Sequence, residues 1–258
     1  MIPYFEWHFI PFGPFTLQVW GLFVALGFLL SIFLARWKLA FAHKKEASAS
    51  DFIWDLGAWV ILGALTGARL GHVFFYLWPY FSKHLGEILR VWDGGMSSFG
   101  GFIGGALAFW IFVRVQKVDF WRAAEAVLWA FPFGMIVGRF GCVFTHEHPG
   151  RLTSSVFGVQ YPGGARFDLG ILEIFALVPL AVAFFILRKK EYKTPVFAIA
   201  TLLYYGVTRF FLDFLRATDV AGADARYAGL TPAQYGSMVL VVIGGVLIGL
   251  LRKRGAKK

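Results

Sequence analysis

Residues 138–151 bring together the side chains of this protein that are best suited to chemistry. The segment reads GRFGCVFTHEHPGR and contains two arginines, two histidines, a glutamate and the only cysteine of the chain. It stands at the end of an apolar stretch. Metal sites, cysteine nucleophiles and pockets for anionic ligands all use residues of these types. The rest of the sequence has to distinguish these three kinds of site.

Metal binding is the least favoured of the three. His146, Glu147 and His148 are adjacent, whereas the histidines of a helical zinc site are four residues apart, and Pro149 follows directly. We therefore predict no metal. Cys142 lies on an apolar stretch, where a lone cysteine is most often a small packed residue. The nearby Arg139 is the one feature that favours a thiolate nucleophile at Cys142.

The composition indicates that lipid surrounds most of the chain. Of the 258 residues, 58% are hydrophobic and 16% are charged, against about 25% charged residues in an average soluble domain. The mean hydropathy is +0.65. A soluble core cannot bury that much apolar surface. We therefore predict an all-α membrane protein with one integral-membrane domain over residues 1–258.

Seven apolar stretches have the length of roughly 20 residues that a helix needs to cross a bilayer. They cover about residues 15–35, 53–78, 97–113, 123–145, 169–187, 196–216 and 233–251. Basic segments follow the first, third, fifth and seventh stretches and hold sixteen of the 25 lysines and arginines. The positive-inside rule places these segments and the C-terminus in the cytoplasm, and the N-terminus outside. This distribution explains the net charge of +10 without nucleic acid as a partner. The first residues also lack the basic region and cleavage site of a removable signal peptide.

The other nine basic residues are mostly arginines within the stretches or toward the outer face. They are Arg69, Lys83, Arg90, Arg139, Arg151, Arg166, Arg209, Arg216 and Arg226. An arginine at mid-membrane costs roughly 2.5–3.5 kcal/mol on insertion scales. Its planar guanidinium can bind phosphate or carboxylate oxygens in bidentate fashion. A buried ion pair or an interfacial position explains any single arginine as well as a ligand does, but the number on one side favours an anionic ligand.

Helical spacing predicts which of these arginines meet. Arg209, Asp213 and Arg216 are spaced i, i+4 and i+7, so they share one helical face. Asp213 can then neutralise Arg209 and leave Arg216 for a ligand. Arg139 lies two turns from His146, on the same face if the helix continues that far.

Two further stretches add candidates for the same outward-facing cavity. Arg69 and His72 are spaced i, i+3 on the second stretch. The third stretch begins with GGMSSFGGFIGG, which includes Ser98. Small residues allow helices to approach closely, and the start of a helix leaves backbone amides free for a ligand.

With these motifs in place, the chain resembles the prolipoprotein diacylglyceryl transferases of bacterial inner membranes. The resemblance runs through VWGLFVALGF, GARLGHVFFY, the GG-M-S-x-x-GG run, RFFLDFLR and LTPAQ in that order. Its most specific element is the signature GR-x-G-(x)5-E-x-x-G-R. The matching residues are Gly138, Arg139, Gly141, Glu147, Gly150 and Arg151. The resemblance implies the same seven-span topology that the charge pattern predicts.

The resemblance also implies a reaction. Members of the family transfer the diacylglyceryl group of phosphatidylglycerol to the lipobox cysteine thiol in the signal peptide of a preprolipoprotein, and glycerol phosphate leaves. The reaction needs no cofactor. By resemblance, Arg139 and Arg216 are catalytic and bind the phosphate, and the site lies toward the outer leaflet of the inner membrane. The substrate supplies the nucleophile, so Cys142 need not be one. The other implied substrate-binding residues are Glu147, Gly150, Arg209, Asp213, Trp20, Ser98 and Arg69. Glu147 and Asp213 are expected to orient the arginines, with Glu147 as the partner of Arg139.

Departures from the family pattern leave the proton acceptor open. Much of the family has a third-span histidine where this chain has Phe99, and often a histidine near Phe167. Cys142 replaces an asparagine of the signature, and Trp20 replaces a tyrosine. We predict that His146 accepts the thiol proton, because a neutral imidazole suits that role near pH 7. A base-free mechanism, with thiol ionisation assisted by the arginines, is the alternative.

Two other classes of function fit some of the same residues. An anion transporter or channel would use the arginines, but they lie in the outer half and the sequence has no evident inverted repeat. A non-catalytic paralogue that binds lipid or lipoprotein would keep the arginines and lose the base. Phe99 and Phe167 are the residues that keep this second class open.

Overall fold

A computed structural model describes residues 1–42, 51–90, 94–190, 192, 195–220 and 223–255. Over these residues the chain forms eight α-helices. They are α1 (Val19–Ala42), α2 (Phe52–Phe75), α3 (Trp78–Phe81), α4 (Ser98–Val115), α5 (Phe120–Thr145), α6 (Leu169–Ile186), α7 (Val196–Leu212) and α8 (Pro232–Gly255). Single 3-10 turns lie at Leu85–Leu89, Leu187–Lys189 and Asp213–Leu215.

These helices confirm the predicted all-α membrane class. Six of them, α1, α2, α5, α6, α7 and α8, are long and apolar enough to cross a membrane. The third predicted stretch corresponds to α4, which is apolar but shorter. Parts of the basic segments, at residues 43–46, 191, 193 and 256–258, lie outside the described residues.

Two small antiparallel sheets interrupt the helical pattern. Strands β1 (Phe9–Phe12) and β2 (Phe15–Gln18) form a hairpin before α1. A second sheet has the order β3-β5-β4 and lies in the chain between α5 and α6. Its strands are β3 (Pro149–Leu152), β4 (Val159–Tyr161) and β5 (Gly164–Asp168). The second half of the signature therefore lies on a strand and not on a helix.

Close contacts divide the chain into two compact units. The first unit comprises Met1–Lys38 and Ala124–Lys258, and the second comprises Leu39–Ala123. The unit boundaries fall within α1 and α5, near the cytoplasmic ends that the charge pattern predicts.

Glycines bring α2 and α4 of the second unit into backbone contact. A Cβ atom on Gly100 would overlap the carbonyl oxygen of Gly67 and lie 3.0 Å from the Cα of Gly71. On Gly67 it would overlap the carbonyl oxygen of Gly100 and lie 2.8 Å from the Cα of Gly104. These four-residue repeats of glycine match the small-residue packing that membrane helices use.

Polar groups of α5 fix the start of α7 in the first unit. The carboxylate of Glu125 accepts hydrogen bonds of 2.9 Å from the amides of both Phe197 and Ala198. These amides belong to the first turn of α7 and have no intrahelical acceptor. Thr201 adds a hydrogen bond of 2.9 Å to the carbonyl oxygen of Leu128. The direction of α7 toward Arg209 is thus set from its first turn.

Candidate active site

Two arginines from different helices share one buried carboxylate. Glu173 on α6 accepts hydrogen bonds of 3.0 Å from Arg139 on α5 and from Arg209 on α7. The hydroxyl of Tyr205 donates a third, of 2.9 Å. Only 2% of the glutamate side chain is exposed, compared with 13% for Arg139 and 11% for Arg209. One buried carboxylate on α6 therefore orients a guanidinium group from α5 and another from α7.

A second buried carboxylate holds Arg209 from its other side. Asp213 is fully buried, and its Oδ1 lies 3.1 Å from Nη2 of Arg209. The hydroxyl of Thr231 donates to Oδ2 of Asp213. Gln234 at the start of α8 accepts a hydrogen bond of 2.9 Å from the amide of Thr231. The predicted pairing of Arg209 with Asp213 is confirmed, and the start of α8 supports it.

Arg216 is paired, contrary to the prediction. Its Nε lies 2.6 Å from Oδ2 of Asp224. The prediction that Arg216 is left without a carboxylate is wrong, because Asp224 pairs with it. The predicted helical face is also interrupted, since α7 ends at Leu212 and a 3-10 turn follows over Asp213–Leu215. Arg216 has an extended backbone after this turn. It forms an antiparallel bridge with Gly150 and no longer continues the helical face.

The backbone around position 150 leaves room only for glycine. A Cβ atom there would lie 2.7 Å from the carbonyl oxygen of Phe167 and 2.8 Å from that of Leu215. The residue is buried between β5 and the 3-10 turn after α7. Its carbonyl oxygen accepts a hydrogen bond of 3.2 Å from Arg166. The absence of a side chain thus allows β3 to join the segment that carries Arg216.

The helix that carries Arg139 ends before the histidines. Thr145 is the last residue of α5, and His146 has a φ of 49°, which turns the chain out of the helix. The condition under which Arg139 and His146 would share a helical face, a helix that continues to residue 146, is therefore not met. Glu147, which we expected to hold Arg139, is exposed, and Glu173 takes that place.

His146 lies in a buried polar group of its own. Its Nδ1 is 2.7 Å from Oδ2 of Asp168, and the hydroxyl of Tyr161 donates to the same oxygen at 2.7 Å. The ring of Tyr4 stacks on the imidazole with 4.6 Å between centroids. The other ring nitrogen of His146, Nε2, is buried without a hydrogen-bond partner among the described residues.

His148 is the histidine that lies near the arginines. Burial, followed by the positive charges of Arg139, Arg216 and Arg209, lowers the pKa of His148 from 6.5 to about 3. Its imidazole is therefore neutral at physiological pH. Within the described ranges its Nδ1 is buried and has no partner. The same is true of Nε of Arg139. Unpaired buried polar atoms at one location indicate a site for a polar ligand.

Cys142 is a packed residue, as predicted. It is 4% exposed, and Nη1 of Arg139 donates to its sulfur at 3.6 Å. Trp20, another predicted site residue, lies on α1 beside Gly141, the neighbour of Cys142 in α5. A Cβ atom on Gly141 would lie 3.1 Å from the Cα of Trp20, so α1 and α5 approach closely here. The side chain of Trp20 is 40% exposed.

The remaining predicted site residues belong to the second unit. Arg69 is 6% exposed, and its guanidinium donates to backbone carbonyl oxygens at 2.5–3.3 Å. These acceptors are Glu87, Ile88, Gly94 and Gly95. Arg69 thus anchors the segment after α3. Ser98 is the first residue of α4, and Ser97 caps that helix by accepting from the amide of Gly100 at 3.2 Å. Phe99 is 42% exposed.

Sequence reasoning missed two carboxylates that organise the site. Glu173 is the only charged residue of α6, LGILEIFALVPLAVAFFI. An isolated acid in an apolar span is a signal for function or pairing, and this one could have been recognised. Asp168 was harder to recognise as a site residue, since an aspartate directly before an apolar helix is expected to cap that helix. It does cap α6, and its pairing with His146 depends on a strand that the sequence did not reveal.

Known proteins are similar to this chain over nearly its whole length. The sequence profile of the prolipoprotein diacylglyceryl transferase family matches residues 8–250. A phosphatidylglycerol–prolipoprotein diacylglyceryl transferase of Pasteurella multocida (strain Pm70) is 32% identical over 262 residues, which covers 99% of this chain and 96% of the relative. Proteins of the same name from Francisella tularensis subsp. holarctica (strain LVS) and subsp. novicida (strain U112) are 30% identical over 241 residues, 92% of this chain and 89% of each relative. With matches of this extent, the chain belongs to the prolipoprotein diacylglyceryl transferase family.

Proposed function

We propose that this chain is a transferase that moves the diacylglyceryl group of phosphatidylglycerol to the thiol of a lipobox cysteine in a preprolipoprotein. Its relatives are named for phosphatidylglycerol and prolipoprotein as substrates. The reaction is the first step of lipoprotein maturation and uses neither a metal nor a cofactor. The substrates of this chain are therefore an anionic lipid and a signal peptide, both presented by a membrane.

The observation that carries the proposal is the pair of arginines on Glu173. Arg139 and Arg209 are held by one carboxylate, so their guanidinium groups are oriented before a ligand arrives. Nε of Arg139 is buried without a partner in the described part of the chain. An unpaired buried donor costs about 1–3 kcal/mol, and a phosphate oxygen would satisfy it. We assign the phosphate of the lipid to Arg139, with Arg209 beside it and Arg216 on the adjoining bridge.

The charge change of the reaction suits such a site. The sulfur of the substrate attacks the glyceryl carbon that bears the phosphate ester, a C–S bond forms and the C–O bond breaks. The bonding electrons leave with glycerol phosphate, whose phosphate changes from a monoanion to a dianion. Fixed guanidinium groups in a low-dielectric site stabilise this developing charge more than the ground state. Glu173 and Asp213 keep the arginines in place during the step.

We further propose that the site faces the outer leaflet of a bacterial inner membrane. The positive-inside pattern supports this orientation, with the N-terminus outside and the C-terminus in the cytoplasm. In this orientation the Thr145 end of α5 and the Leu169 end of α6 lie on the outer side. In this proposal residues 1–258 form one integral-membrane domain, and Trp20, Glu147 and Gly150 contribute to substrate binding.

Reconstitution with defined substrates tests the proposal. Purified chain is incubated in micelles with phosphatidylglycerol and a lipobox peptide, and both the thioether product and released glycerol phosphate are measured. We expect the two products in equal amounts, and none with a peptide in which serine replaces the lipobox cysteine. Lipid or peptide binding without product would favour a non-catalytic paralogue. Anion flux through liposomes without product would favour a transporter.

A further inference from the structure

The buried group around His146 has the geometry of an oriented base. Asp168 lies at one ring nitrogen, while the other ring nitrogen has no partner among the described residues. We propose that Asp168 and Tyr161 are positioning residues that hold His146 as the acceptor of the substrate thiol proton. This inference rests on the proposed transferase function and adds to it the residues that set the tautomer of the base.

The pairing with Asp168 determines where the lone pair of His146 lies. An ionised carboxylate only accepts hydrogen bonds, so the contact of 2.7 Å requires the proton on Nδ1. Nε2 then carries the lone pair and is free to accept a proton. The imidazolium formed would remain next to the carboxylate, which stabilises it. The same relation of acid, histidine and proton source is used by hydrolytic triads.

Asp168 is itself fixed from two further directions. Its Oδ1 accepts a hydrogen bond of 3.1 Å from the amide of Ile171 and so caps α6. Its Oδ2 accepts from Tyr161 at 2.7 Å. Burial, together with the nearby Asp168 charge, raises the pKa of Tyr161, so its hydroxyl stays protonated and donates. The carboxylate therefore has little freedom to turn away from the imidazole.

The N-terminal segment fixes the face of the imidazole. Ile2 pairs with β4 through hydrogen bonds of 2.8 Å to Gly158 and 3.0 Å from Gln160. This pairing brings Tyr4 onto the ring of His146, with an interplanar angle of 21°. Stacking on Tyr4 thus restricts the tilt of the imidazole, and the hydrogen bond to Asp168 restricts its rotation. Its orientation is set before any substrate binds.

Direct packing connects this group to the arginine site. A Cβ atom on Gly170 would lie 3.0 Å from Oδ1 of Asp168 and 3.4 Å from the Cβ of Cys142. The sulfur of Cys142 in turn receives the hydrogen bond from Arg139. The residues that hold the proposed base, His146, and the residues that contact the proposed phosphate-binding Arg139 therefore pack against each other between α5 and α6.

The proton step balances with the transfer step. The S–H proton of the substrate moves to Nε2 of His146, and the resulting thiolate forms the C–S bond as glycerol phosphate departs. His146 gains one positive charge and the leaving phosphate gains one negative charge. The proton then passes from the imidazolium to water or to the departing phosphate. No oxidant, reductant or metal enters the step.

Asp168→Asn tests the positioning role without removing the helix cap. Asparagine also caps helices well, but its amide would face His146 and favour the tautomer with the proton on Nε2. We expect kcat with a cysteine peptide to fall by roughly 100-fold, the size of a general-base contribution. His146→Asn should fall by a similar factor, because asparagine tolerates the positive φ but cannot accept the proton. The matched control is Asp219→Asn, which alters an exposed carboxylate bound to Arg166 and should retain full activity.

A selenocysteine peptide separates a chemical role from a structural one. A selenol is far more acidic than a thiol, so it is ionised at neutral pH and needs no base. With this peptide we expect both variants to recover to within about threefold of the unsubstituted chain, because the base contribution is no longer needed. An equal loss with the two peptides, or an undiminished rate with the cysteine peptide, would overturn the inference. Absence of product from the unsubstituted chain would instead contradict the proposed function.

Tyr161→Phe gives a graded test of the same group. It removes one hydrogen bond to Asp168 and leaves the carboxylate in place. We expect a loss of about threefold to tenfold in kcat, in keeping with the net contribution of one ordinary hydrogen bond. The selenocysteine peptide should reverse this loss as well. A Tyr161→Phe defect larger than that of Asp168→Asn would contradict the assignment of Asp168 as the main partner of His146 and Tyr161 as its support.

Discussion

Arg139 binds Glu173 through one nitrogen, Nη2, which lies 3.0 Å from Oε1 and 2.9 Å from Oε2 of the carboxylate. The other donors of this guanidinium remain available for the sulfur of Cys142 and for a ligand. A buried ion pair of this kind contributes little net stability, but loss of one partner leaves an uncompensated charge. Substitutions of Glu173 and of Arg139 should therefore have different effects.

Glu173→Gln removes the charge that Arg139 and Arg209 share. We expect the free energy of unfolding to fall by roughly 3 kcal/mol, since two buried guanidinium groups lose their common carboxylate. Thermal unfolding of the purified chain in detergent measures the change. Glu147→Gln is the control, because Glu147 is exposed, and it should unfold like the unsubstituted chain. Equal unfolding temperatures for all three proteins would contradict the assigned pairing.

Arg139→Lys keeps a positive charge but loses the planar fork. A lysine can pair with Glu173, yet it has no second set of donors for a phosphate. We expect kcat for the transfer to fall by roughly 100-fold, comparable to the loss of one transition-state donor. Arg90→Lys is the control, because its side chain is 53% exposed. Normal turnover by Arg139→Lys would show that a point charge is sufficient.

Two adjacent glycines of α4 should respond differently to alanine. Gly100→Ala introduces a Cβ atom that overlaps the backbone of Gly67, whereas a Cβ atom on Gly101 would lie at an ordinary 3.5 Å from Ala64 and Ala68. We expect Gly100→Ala to destabilise the chain by about 2 kcal/mol or more, because neither backbone can move alone. Gly101→Ala should be tolerated. Thermal unfolding and the yield of folded protein in detergent distinguish the two outcomes.

The signature offers a similar comparison between Gly150 and Gly138. A Cβ atom on Gly150 would meet the backbone of both Phe167 and Leu215, whereas one on Gly138 would meet nothing within 4 Å. Gly150→Ala should therefore displace β3 from Arg216 and reduce transfer by at least tenfold, the effect expected of an ångström-scale shift. Gly138→Ala should remain active. The reverse order of activities would show that Gly150 acts other than through packing.

His148 makes the stability of the chain depend on pH. Its folded-state pKa is about 3, below the ordinary 6.5, so between these values the unfolded state binds a proton that the folded state excludes. Stability should therefore fall as the pH is lowered from 6.5 toward 3, by up to about 1.4 kcal/mol per pH unit. His148→Gln removes this linkage, and chemical unfolding at a series of pH values should show a flatter dependence. An unchanged slope would place His148 in a more hydrated setting.

The helices were predictable from the sequence because lipid imposes a simple requirement on them. Apolar length alone located α2, α5 and α6 to within a few residues, and helical spacing identified the Arg209–Asp213 pair. The strands between α5 and α6 were not predicted, because segments of three to five residues carry little periodicity. This explains why Glu147 was expected at Arg139. The true partner, Glu173, is distant in the chain and becomes adjacent only when α5 and α6 pack.

The two histidines of the signature were likewise indistinguishable in the sequence. Both flank Glu147, and the turn at residue 146 determines how their surroundings differ. That turn directs His146 to Asp168 and leaves His148 near the arginines. Long-range packing decides both environments, so a single sequence could nominate the histidines but could not assign their surroundings.

The left-handed backbone at His146 has a consequence for how this family can diversify. Glycine adopts such a conformation freely, and asparagine, aspartate and histidine adopt it more readily than other residues do. Evolution can therefore exchange these residues at position 146 while the turn from α5 into β3 is conserved. Histidine is the one among them that brings an imidazole. A proton acceptor can thus be gained or lost by a single codon change at this turn, without any change in the architecture that surrounds it.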